Sequence, residues 1–162
     1  MVAVILLGVG GVIYMMKKSE PHKEVHYHAG IVMYQNNQKV DLSDIKYMTI
    51  SPCVDVGTEK PKEDEQNEKA HFHDNVGDVV HVEAEGGKWK DLFTNIKYPM
   101  DYAKTIGFVN GVKLENFQEQ PIQPEESLVV FIGDNDQKLV NTGVTKEYIE
   151  TQAQKSIGCG SD

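Results

Sequence analysis

The chain contains no arginine; all 16 of its basic residues are lysine, against 25 acidic residues, for a net charge of −9 over 162 residues. Arginine supplies the planar fork that grips phosphates and guanine edges. Phosphate neutralisation carries most nucleic-acid affinity. An acidic chain without arginine is therefore a poor candidate for nucleic acid, no nucleic-acid partner is expected, and the composition points to export or to cations. Cysteine is scarce as well. Cys53 and Cys159 do not form a Cys-x-x-Cys pair, which excludes a thioredoxin-like motif or a zinc ribbon. The two can bridge in an oxidising compartment or remain free thiols. After residue 16 there is no long hydrophobic run, and after residue 81 there is no histidine.

The single long apolar stretch opens the chain. Residues 1–16 (MVAVILLGVGGVIYMM) carry no charge and stop at Lys17 and Lys18. As a helix they span about 24 Å, slightly short of the ~30 Å hydrocarbon layer. Tyr14 and the lysines are suited to the interface. No small-residue cleavage site follows, so residues 1–18 are expected to form a retained membrane anchor rather than a removed signal. A pilin-type stem would run further. The lysines that follow favour a cytoplasmic body by the positive-inside rule; the acidic, histidine-rich body favours the outside, and an extracytoplasmic location is the expectation.

Residues 19–24 read as a spacer, 25–143 as one β-rich domain, and 144–162 as a short C-terminal helix and tail. Val25 to Tyr34 is β-branched and aromatic, which predicts a strand, and Gln38 to Leu42 its return across an Asn-rich turn. Tyr47 to Ile50 predicts a third short strand. Residues 57–69 (GTEKPKEDEQNEK) are almost wholly polar and predict a mobile loop. Ala70–Asp74 and Asp78–Ala84 read as a hairpin around Asn75-Val76-Gly77. Trp89, Leu92, Phe93 and Ile96 fall at helical spacing. Asn110-Gly111 marks another hairpin, Ser127 to Ile132 a buried strand, and Thr145 an N-cap.

All six histidines lie between positions 22 and 81. His26 and His28 alternate along one strand, as do His71 and His73, so each pair shares a face about 7 Å apart. If Asp74 faces Asp78, pair indices sum to 152 and His71 falls opposite His81. His71, His73, His81 and Glu83 then share one face, and His26 and His28 join them if the first strand is adjacent. Neutral imidazoles on a rigid sheet suit a divalent transition metal, Zn or Cu. The candidate ligands are His71, His73, His81, His26 and His28, with the carboxylates Glu83 and Asp74 as ligands or supports. No Cys-x-His lies near for a blue-copper centre, and a cupin lacks its downstream histidine. Three alternatives remain open: a metal-binding module, a zinc hydrolase or hydratase with an open water position and Glu83 as base, and a surface or filament module with incidental histidines.

Two resemblances add to this. The segments HYHAGIVMY, HFHDNVGDVVHVEA and FVNG, after an apolar N-terminus, resemble a group of small membrane-anchored proteins of uncultivated archaea and ultra-small bacteria. The resemblance covers residues 22–133 and implies the architecture and the weight of the histidines, not a reaction. Glu83 departs from it, standing where members carry a further histidine. The stretch FVNGVKLENFQEQPIQPEESLVVFIG resembles the last third of ubiquitin-like β-grasp domains, which implies an α+β fold, a β-grasp-like mixed sheet with one packed helix. The chain lacks the terminal Gly-Gly used in conjugation.

Overall fold

The computed structural model describes residues 25–49 and 62–154. The expected N-terminal anchor, both cysteines and the tail beyond residue 154 lie outside them. Among the described residues no helix is long and apolar enough to cross a membrane.

The fold is α+β with a mixed sheet. Its strands are β1 (Tyr27–Gln35), β2 (Gln38–Lys39), β3 (Val79–Val82), β4 (Thr105–Val109), β5 (Val112–Leu114) and β6 (Ser127–Ile132). The order is β2-β1-β6-β4-β5, with β1 and β6 parallel at the centre and the remaining pairs antiparallel. β3 takes the free side of β1 near its start, beyond the reach of the short β2, and pairs antiparallel with Tyr27–Gly30. β1 therefore has neighbours on both sides, and its segment Ala29–Tyr34 is buried throughout.

Helix α2 (Trp89–Asn95) crosses one face. Its apolar positions recur at helical spacing, and the Asp91 carboxylate accepts from the Lys88 backbone N–H at 2.9 Å, capping the first turn. Lys97, with φ of 54°, ends it. Trp89, Leu92, Phe93 and Ile96 bury against Ala29, Ile31, Met33, Phe72, Val80 and Val82. Burial of each large side chain contributes about 1.5–3 kcal/mol. The opposite face carries Val32, Tyr34, Phe108, Val129 and Phe131, with Leu139, Val140 and Val144 packed over them. Helix α3 (Lys146–Ala153), capped by Thr145, follows and brings Ile149 over Gly30. A Cβ at Gly30 would lie 2.5 Å from that of Val144, so glycine is what admits this layer.

Four expectations are corrected. Residues 62–68 form helix α1 (Lys62–Glu68), not a loop. The Asn95 side chain donates to the carbonyls of Gln66 and Ala70, both at 2.8 Å, tying the end of α1 to α2. Ile45–Tyr47 is a 3-10 turn rather than the start of a strand, because the Asp44 carboxylate accepts from the Lys46 N–H. The second strand stops at Lys39 instead of running to Leu42. The segment Ala70–Asp74 touches β3 at one bridge only. Asp74 and Asn75 adopt left-handed φ values of 56° and 58°, which turns the chain away from the ladder.

Candidate metal centre

The bridge that remains is the one the index sum of 152 picks out. His71 and His81 exchange both backbone hydrogen bonds, at 3.0 and 2.9 Å. On the other side of β3, His81 stands opposite His28 of β1. Directly opposed residues project to the same face, so His28, His81 and His71 form one row across three chain segments. Alternation adds His26 and Glu83 at one end and His73 at the other. Between the histidines, Tyr27, Phe72, Val80 and Val82 turn to the α2 side, and Phe72, Val80 and Val82 are fully buried there. The apolar residues anchor the backbone and aim the imidazoles away from the main core.

His26, His28 and His81 each offer a ligand atom, and these atoms lie within 4.8 Å of one another. The three could hold a metal ion. Ring centroids are 4.8 Å apart for His26–His28, 4.2 Å for His28–His81 and 6.2 Å for His26–His81. Nitrogens that share a tetrahedral ion at about 2.0–2.1 Å stand about 3.3 Å apart, so the triad closes around an ion with modest ring rotations. The His28 Nε2 is buried without a hydrogen-bond partner. An orphaned buried nitrogen costs about 1–3 kcal/mol, which a bound cation would offset.

The outer contacts fix the tautomers in sequence. The Asp74 carboxylate only accepts, so the 2.7 Å contact places a proton on His73 Nδ1, and in the neutral, metal-binding ring this leaves Nε2 with a lone pair. That Nε2 lies 2.9 Å from Nδ1 of His81. Nδ1 of His81 must then donate, which leaves its Nε2 unprotonated. His71 Nδ1 likewise donates to the Asn67 carbonyl at 3.0 Å, freeing its own Nε2.

Burial favours the uncharged form of His28, His81 and His71. It is the main cause that lowers the His28 pKa to about 4, with repulsion from His26 and His73 adding to it. Burial, then His73 and His28, pushes His81 well below the ordinary imidazole range. Burial also lowers His71, against the opposing pull of Glu83. Neutral imidazole is the form that binds metal.

Each candidate residue has a definite place. His26, His28 and His81 converge. His73 touches His81, and His71 lies across the bridge with its ring 5.7 Å from both His73 and His81. Asp74 holds His73 from outside. Glu83 is exposed, 4.0 Å from His26 Nε2. The sequence pattern gave no sign of the Asn67 carbonyl, a backbone acceptor that any residue type supplies.

The chain matches no known protein family, no curated protein and no solved structure.

Proposed function

We propose that this domain binds a divalent transition metal, Zn or Cu, through its clustered strand histidines, as a membrane-tethered module outside the cytoplasm. The observation that carries the reading is the convergence of His26, His28 and His81 within 4.8 Å, on rings that run from exposed His26 to buried His81. All-imidazole donors without thiolate suit these ions. The charge-free residues 1–16 support the tether. The strand order around parallel β1 and β6, with α2 crossing one face, supports a β-grasp-like core to which β3 is added.

Elemental analysis of the purified full-length chain, followed by titration with Zn(II) or Cu(II) after chelation, tests this. Saturable binding is expected; a chain that takes up neither ion refutes it.

One contact favours a second reading. The Glu83 carboxylate stands 4.0 Å from His26, beside a three-histidine triad that leaves a fourth position on zinc. In that arrangement Glu83 would act as general base for a zinc-bound water in a hydrolase or hydratase. Hydrolysis of activated esters by the zinc-loaded chain, lost in Glu83→Gln with zinc retained, would favour it over simple binding.

A further inference from the structure

Five imidazoles share this face, one more than a four-coordinate ion can use. They divide about His81. On the β1 side stand His26 and His28. On the other side the ring of His73 lies 3.6 Å from that of His81, and His71 lies 5.7 Å from both. The ring triangle His71–His73–His81 is thus close in size to His26–His28–His81, whose sides are 4.8, 4.2 and 6.2 Å and whose ligand atoms already lie within 4.8 Å of one another.

We propose that the face holds two divalent ions, one on each side of His81, with the His81 imidazole shared between them. This rests on the metal-binding reading above. The first ion takes His26, His28 and Nε2 of His81. The second takes Nε2 of His71, Nε2 of His73 and Nδ1 of His81.

The hydrogen bonds already in place set out the second position. His73 and His71 are each held from behind, by Asp74 at 2.7 Å and the Asn67 carbonyl at 3.0 Å. Such contacts orient metal-binding imidazoles and fix their tautomer. Between His73 Nε2 and His81 Nδ1, 2.9 Å apart, one proton is shared. The second ion replaces that proton. It leaves to solvent, both lone pairs turn to the ion, and the nitrogens spread to about 3.3 Å, the spacing of two ligands on tetrahedral zinc. His81 becomes an imidazolate, and one proton per chain is released with the second ion. The carboxylates of Glu83 and Asp74, at opposite ends of the row, and the net charge of −9 offset the added positive charge.

The full-length chain, loaded with Cu(II) alone, tests this without any substitution. Two Cu(II) ions per chain are expected. Two Cu(II) ions joined by an imidazolate couple their spins, so at two equivalents the integrated electron paramagnetic resonance signal should fall well below the bound copper, while at one equivalent it matches. Zn(II) titration in buffers of different ionisation enthalpy should show one extra proton released with the second ion. His28→Ala and His73→Ala should each retain one ion. Saturation at a single ion overturns the proposal and leaves the metal-binding reading standing. Two ions with full signal intensity overturn the sharing of His81. No binding at all refutes both.

Discussion

His28 and His81 face each other across antiparallel β1 and β3, their rings 4.2 Å apart and nearly perpendicular. This pairing joins two histidines 53 positions apart in the chain and makes the face a single site.

The first expectation concerns pH. Burial lowers His28 in the folded chain from 6.5 to about 4. Between these values the unfolded chain binds a proton that the folded chain does not, so stability rises with pH there. The metal-free domain should lose stability as pH falls from 6.5 toward 4. Urea midpoints across that range measure it, and His28→Asn should reduce the dependence, with buried His81 and His71 supplying the rest.

Asp74→Asn should leave the fold intact, because asparagine accepts the left-handed backbone that Asp74 adopts at φ of 56°. It replaces a carboxylate acceptor with an amide and weakens the hold on His73. We expect affinity for the second ion, the one His73 would hold, to fall about 10–100-fold with an unchanged circular dichroism spectrum.

Phe72 lies between His71 and His73 in the sequence and is fully buried on the other face. Phe72→Ala should cost about 3–5 kcal/mol in urea unfolding. It should also weaken binding of the second ion, although it removes no ligand, because it loosens the segment that aims both imidazoles.

Gly30→Ala places a methyl 2.5 Å from the Val144 Cβ. Overpacking of this kind costs about 1–3 kcal/mol. The loss should appear in the urea midpoint, and hydrogen exchange should rise in α3, which packs over this position.

What the sequence made legible follows from the range of each interaction. The α2 helix, the Asn110-Gly111 hairpin, β6 and the Thr145 cap are local patterns, and the structure carries them all. The His71–His81 register was readable because the loop between them is short and period-two alternation fixes the faces. The adjacency of β1 and β3 was open, because no local signal specifies which distant strand fills an edge. Helix α1 was hidden by composition: a run of lysine and glutamate reads as solvated whether or not Asn95 catches its end. The weight of the site also moved. Within the hairpin, His71, His73 and His81 stood out, whereas the ligand atoms that converge within 4.8 Å belong to His26, His28 and His81. The long-range β1–β3 pairing produces that shift.

The most direct test of the central claim is the Zn(II) affinity of the full-length chain, measured by competition with a chromophoric chelator, for wild type and for His28→Ala and His81→Ala. The account predicts at least a tenfold loss, about 1.4 kcal/mol, at the His26–His28–His81 position in each. Wild-type affinity in both His28→Ala and His81→Ala would contradict it.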